Sequence, residues 1–391
     1  MKNILKTAGM IRMQSDPDAC LHNITSVQDI RSKMNEVRAL QSTYRDANLY
    51  QRDWKPIHQP IDDTCLEIDG STTIKVLQFN TLAQGLSSGP IPSPFEKNKE
   101  DGKEDGKDLL KSIYGGFTDI PNPEIALDFN LRRWRLMEVL LGTDDFDIIA
   151  MEEVDQFHGF FEPLLKIMGY EGLFMPKPHS PGVQFGWYSD GCAFFWKRDV
   201  FELIHEEKRS YNIGSQVYTI ATMKHIPTGR VAVFAVTHLK AGKHAASEEI
   251  RTAQVIELLD TVEKSQKSAA YGADVALSEI PVILMGDFNS DPSEEGSCIH
   301  NIISEESNYR MNSTYGVDPP DWSLFTSWKI RGEVVHRRII DFIFYNPNVR
   351  GITCTHTLDV PKEHELETTR LPGFKYPSDH LAIGAQFKLD K

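Results

Sequence analysis

Pro281-Val282-Ile283-Leu284-Met285-Gly286-Asp287-Phe288-Asn289 is the stretch that decides how this chain folds. Residues 281–285 suit a buried β-strand, and a glycine, an acid and an amide follow at once. Polar side chains placed directly after a buried strand stand at the edge of its sheet. A simple Asp-containing turn accounts for one such ending. The same design recurs outward in both directions. Gln78-Phe79-Asn80 ends the run 74–79, and Met151-Glu152-Glu153-Val154-Asp155 ends the run 146–151. Thr237-His238-Leu239-Lys240 closes 231–236, and Ser378-Asp379-His380 opens 381–383. Independent turns have no reason to share one chemistry. Strand ends far apart in sequence can meet at one sheet edge, and two Asn, several carboxylates and His gathered there make a hard-cation site with a base beside it. A magnesium-dependent phosphoesterase is the expectation.

Bulk properties bound the alternatives. The chain has 391 residues, 40% hydrophobic and 25% charged, as in ordinary globular proteins. Its longest apolar runs are strand-sized, so no transmembrane helix is expected. Lys2, Lys6 and Arg12 without acids nearby make mitochondrial import a secondary expectation beside a cytoplasmic location, since Arg and Ser are scarce for a transit peptide. Five cysteines, an odd number with no CxxC, argue for reduced thiols and against zinc. With 56 acidic against 42 basic residues the net charge is −14, a field that repels a nucleic-acid backbone unless a local patch offsets it.

Residues 1–70 lack strong patterning. Val27, Ile30, Met34, Val37 and Leu40 keep helical spacing, but their polar surroundings predict a marginal helix in a poorly structured segment. No leucine-rich period suggests a repeat adaptor. Residues 71–391 form the expected catalytic domain, interrupted by a Gly-, Pro- and charge-rich insertion at 87–123 predicted to be mobile. Leu131, Trp134, Met137 and Leu141 predict one amphipathic helix; Ile250, Ala253, Ile256 and Leu259 predict another. Strands often follow one another directly, and strands and helices alternate irregularly. That favours an α/β fold of two packed mixed β-sheets sandwiched between outer helices over a singly wound parallel sheet.

Asn80, Glu153, His238, Asp287 with Asn289, Asp341 and Ser378-Asp379-His380 together resemble the exonuclease–endonuclease–phosphatase superfamily. Longer stretches are similar to its deadenylase-like branch: Phe174-Met175-Pro176-Lys177-Pro178, Thr326-Ser327-Trp328-Lys329-Ile330-Arg331, and Leu371-Pro372-Gly373-Phe374-Lys375-Tyr376-Pro377-Ser378-Asp379-His380. The resemblance covers roughly residues 72–388. It implies two sheets between helices, and Mg2+ held by Glu153 with help from Asn80. Asp287 would position or activate water and Asn289 would steady phosphate oxygens. His238 and His380 would contact the phosphoryl group, with Asp379 orienting His380 and Asp341 completing the network. Lys177, Lys240 and Arg331 would bind substrate phosphate. Two positions depart from the family pattern. Glu152 replaces the usual Gln, adding a charge, and Gly242 replaces an Arg for which Lys243 would stand in.

The same resemblance implies one of two substrates, the 2′-phosphate of NADP(H) or the 3′ end of poly(A) RNA. The charge of −14, the lack of a Lys/Arg tract and the lack of an adaptor favour the dinucleotide, with Trp328 and its neighbouring cations as a surface for one small nucleotide. A catalytically silent binding protein would have lost a ligand or base, and none is lost. A monomer without membrane contact is expected.

Overall fold

A computed structural model describes residues 21–57, 72–87, 117, 120–142, 145–315, 324–331, 334–366 and 370–390. Two mixed sheets pack face to face. In spatial order the first runs Trp54–Pro56, Ile352–Leu358, Ile383–Leu389, Thr73–Asn80, Ile148–Val154, Gly191–Lys197, Tyr170–Pro176. The second runs Asn312–Ser313, Asp341–Tyr345, Val282–Asp287, Val231–His238, Val217–His225, Phe201–Ser210. Each sheet holds a parallel pair at its centre, Thr73–Asn80 with Ile148–Val154 and Val231–His238 with Val282–Asp287. Parallel neighbours need a long crossover. In the second sheet the 29-residue helix Ala245–Ala273 supplies it.

Period-two alternation places the site. Ile74 and Val76 pack in the core between the sheets, with Ile148, Ala150, Phe234, Val236, Ile283, Met285, Ile343 and Tyr345. Leu77 and Phe79 face outward onto Trp134, Met137 and Phe160. In the second sheet Leu284 and Phe344 face outward onto Val255, Leu258 and Val262 of the long helix. Successive side chains of a strand alternate faces. One more step along each inner face therefore reaches Gln78 and Asn80, Glu152, His238, Asp287 and Asp341. The inter-sheet layer is apolar through most of its length and polar at one end.

The segment before residue 58 departs from the sequence expectation. Val27–Ser42 is a four-turn helix with a capping box between Ser26 and Asp29. Ile30, Met34 and Val37 are buried against the helix Phe129–Leu141 and its neighbours. At roughly 1.5–3 kcal/mol per buried apolar side chain, that packing offsets the weakness of an isolated helix. Trp54–Pro56 then pairs with Ile352–Leu358. Arg52 donates through Nη1 to the carbonyl of Ala382 at 2.7 Å and through Nε to that of Asp359. The described part of 1–70 thus belongs to the domain. Most of the 87–123 insertion lies outside the described residues, though Phe117 and Ile120 are buried beside Leu82, Leu127 and Phe374.

Candidate active site

The polar ends of the inner strand faces converge. Gln78 Nε2 donates to Glu152 Oε2 at 2.7 Å and to Asp341 Oδ1 at 3.0 Å. Asn80 Nδ2 donates to Asp287 Oδ2 at 3.0 Å, tying the first sheet to the second. Asp341 stands opposite Asp287 in the antiparallel register, and His238 stands beside Asp287 in the parallel one. His238 Nε2 and His380 Nε2 lie 3.6 and 3.7 Å from Asp287 Oδ2. Asn289 donates its backbone N–H to Asp287 Oδ1 at 2.9 Å and its amide to the Leu239 carbonyl at 3.1 Å. Asn80, Glu153, His238, Asp287, Asn289, Asp341 and His380 are all buried.

Local backbone chemistry sets these positions. The register against Gly191–Lys197 slips between Met151 and Val154, and Glu153 sits there with φ +55°. A bulge of this kind re-aims a side chain, and a left-handed Glu is strained because its Cβ crowds the backbone. Glu153 Oε2 accepts a long 3.3 Å bond from the Ala83 N–H. Gly286 is required by close approach, since a Cβ there would meet the Thr237 carbonyl oxygen at 2.0 Å. Fully buried Arg132 donates to the carbonyls of Thr81, Leu82 and Pro377 and to Ser87 Oγ, gathering two site loops.

His380 is oriented by Asp341, not by Asp379. His380 Nδ1 lies 2.8 Å from Asp341 Oδ2, whereas Asp379 pairs with Lys329 at 3.3 Å. Asp379 lies in a bend whose carbonyl accepts the Trp328 N–H at 2.9 Å, and His380 is bridged to Ser327. Trp328 also departs from expectation. It is buried against Phe325 with Arg337 over its ring, and offers no open surface. Lys177 is buried, 2.6 Å from Asp190 and 3.5 Å from His238 Nδ1. Lys240 is half-buried, and its backbone is held by Gln254 and Arg251. Arg331 ends a described strand, but its side chain lies outside the described residues. Lys243 turns to His336 at 2.9 Å and Glu294 at 3.6 Å.

Charge states follow from burial. Burial pushes the Asp287 carboxyl up to about 6, with the His380 charge opposing and Asp341 adding to the rise. For His380, burial disfavours the cation, but Asp341 and Asp287 outweigh it and raise the imidazole to about 9. Burial, then Lys177 and His380, hold His238 well below its ordinary value. Lys177 can only donate, so His238 Nδ1 accepts and Nε2 carries the hydrogen toward Asp287. Burial and the charges of Asp341 and Asp287 raise Glu152 well above the carboxylate range. The part Gln78 plays in this network, bonding both Glu152 and Asp341, was not read from sequence. The signal for Gln78 is its two-residue spacing from Asn80 on one strand face.

The donor set fits a hard cation. Glu152, Glu153, Asp287 and Asp341 bring carboxylates into one buried volume, and Glu152 Oε1 and Gln78 Oε1 are buried without a hydrogen-bond partner. Ligand atoms of Asp287, Asp341 and His380 lie within 4.8 Å of one another. A charged His380, however, has no lone pair for a metal, and its bond to Asp341 occupies both partners. The Glu153 carboxylate, on its bulge, accepts only that long bond from the Ala83 N–H among the described contacts.

The chain matches the Endonuclease/Exonuclease/phosphatase family over residues 112–380. It is 32% identical over 332 residues to Nocturnin of Xenopus laevis, covering 82% of this chain and 73% of that protein. The CCR4-Not complex 3′-5′-exoribonuclease subunit Ccr4 of Debaryomyces hansenii is 27% identical over 322 residues, covering 69% of this chain and 36% of that protein. The human Nocturnin catalytic domain with bound sulfate superposes with a TM-score of 0.60 at 26% identity, covering 87% of this chain and 97% of that one. No helix among the described residues is long and apolar enough to cross a membrane.

Proposed function

The chain belongs to the endonuclease/exonuclease/phosphatase family, on its Nocturnin branch, and is a metal-dependent hydrolase; we propose that it removes the 2′-phosphate of NADP(H), leaving NAD(H) and inorganic phosphate. The observation that carries this reading is how compactly charge is arranged at the site. Lys177 is held on Asp190 and Lys329 on Asp379, so neither extends a cationic track away from the site. A long backbone needs a track of free cations, and the chain's charge of −14 works against one.

Glu153, with Asn80 beside it, would hold Mg2+, which when bound neutralises the phosphate and steadies charge on the leaving oxygen. Asp287, ionised at neutral pH and fixed by Asn80 and the Asn289 N–H, accepts the proton of the attacking water. His380 presents its Nε2 proton, unpartnered and held by Asp341, to the phosphoryl oxygens. His238 donates as a neutral imidazole, and Asn289 steadies the same oxygens. No covalent intermediate on the protein is required.

Shortening of poly(A) from its 3′ end is the second reading, favoured by the likeness to the exoribonuclease subunit Ccr4. Phosphate release from NADP and NADPH with magnesium, run beside degradation of labelled poly(A), separates the two. Trimming of poly(A) at low enzyme ratio with NADP left intact would overturn the phosphatase reading.

A further inference from the structure

Between the strands Tyr170–Pro176 and Gly191–Lys197 runs a loop whose two ends meet beside His238. At its ends the Lys177 N–H donates to the Asp190 carbonyl at 2.8 Å, and Lys177 Nζ lies 3.5 Å from His238. Its middle rests on the segment that follows Asn80. A Cβ on Gly85 would come within 3.0 Å of Gly182 Cα and of Trp187 Cβ. In that segment the N–H groups of Ala83 and Gly85 hold Glu153 and Asp155. Outward, this loop displays Val183, Phe185 and Tyr188, which are 51%, 38% and 60% exposed. These three side chains lie within six residues, are at least a third exposed, and belong to none of the four apolar clusters of the described residues.

We propose that Tyr188 and Phe185 form a stacking platform for the base of the nucleotide whose phosphate is bound at His238 and His380. The inference rests on reading the site as a nucleotide phosphoesterase, and it names what that site recognises beyond phosphate. Aromatic faces stack on any planar base, so the platform selects nucleotides over simple phosphomonoesters without choosing among bases. Trp328, buried in the fold, leaves that role to this loop. Lys177, at the start of the same loop and 3.5 Å from His238, marks the phosphate end.

Calorimetric titration with adenosine 5′-monophosphate and with inorganic phosphate tests this on wild type, Tyr188→Ala, Phe185→Ala, the double variant and Tyr188→Phe. The double variant should bind the nucleotide about tenfold more weakly, the size of one lost stacked base. Tyr188→Phe should recover most of that, and the affinity for inorganic phosphate should hold. With NADP, the loss should fall on KM more than on kcat. Unchanged nucleotide affinity in the double variant overturns the proposal, as does an equal loss toward inorganic phosphate. Binding of the monophosphate does not require NADP to be hydrolysed. If NADP is left intact while the double variant still loses the monophosphate, the substrate reading fails alone.

Discussion

In the second sheet the parallel partners stay in register to their last residues, His238 opposite Asp287. In the first sheet Asn80 reaches Glu152 in register, but the next strand over slips, and Glu153 leaves the pleat. Both pairs end near a left-handed residue, Glu153 at φ +55° and Asn289 at φ +53°. Asn tolerates that conformation and Glu does not. The side proposed to carry the base is therefore delivered by ordinary strand geometry, while the side proposed to hold the metal is delivered by strain. Strain that persists at one carboxylate marks where the fold has given up stability to aim a side chain.

The largest effects should come from cutting the link between the halves. Asp287→Asn and His380→Ala should each lower kcat/KM by about a thousandfold or more, with the double variant little worse than either, as for groups acting as one unit. Multiplicative losses would assign them to separate steps. Gly286→Ala drives a methyl group into the Thr237 carbonyl and should cost about 3 kcal/mol or prevent folding, read by denaturant unfolding. No comparable loss would mean that the parallel pair can open.

Metal removal tests the other side. At a hundredfold excess over Kd, magnesium should stabilise the protein by about 2.7 kcal/mol in thermal unfolding, and chelator should reverse it. Glu153→Ala should abolish activity and most of this gain; retention of either would move the ion elsewhere. The smallest effect is the sharpest. In chelator, Glu153→Gly should raise stability by up to about 1 kcal/mol by relieving the left-handed Glu. Asn289→Gly should gain nothing, because it also gives up the bond to the Leu239 carbonyl. Equal responses would erase the contrast between the two halves.

Much of this was legible in the chain. Apolar runs ending in polar motifs marked the strands carrying Asn80, Glu153, His238 and Asp287, because burial on one face dictates both the run and its stop. Side-chain direction was less legible. Asp379 precedes His380 in sequence, yet Asp341 holds the imidazole while Asp379 turns to Lys329, since partners come from neighbouring strands and not from chain neighbours. Trp328 sits in a polar motif but is buried, packed against Phe325 three residues earlier and under Arg337, its partner across the hairpin. The helix Val27–Ser42 was underestimated because its apolar stripe is thin. Ser26 and Asp29, spaced as a capping box, were the local signal for its start.

Arg52 gives the early segment a bearing on how the molecule can be cut. Its guanidinium holds the Ala382 carbonyl, while the Tyr376 hydroxyl accepts the Ala382 N–H at 2.8 Å. The residue two beyond His380 is thus held at both its N–H and its carbonyl, once by a residue 330 positions away. A fragment begun at the first central strand would keep each proposed catalytic side chain and lose one jaw of that grip. The smallest piece that carries the chemistry on paper is not the smallest that holds it still.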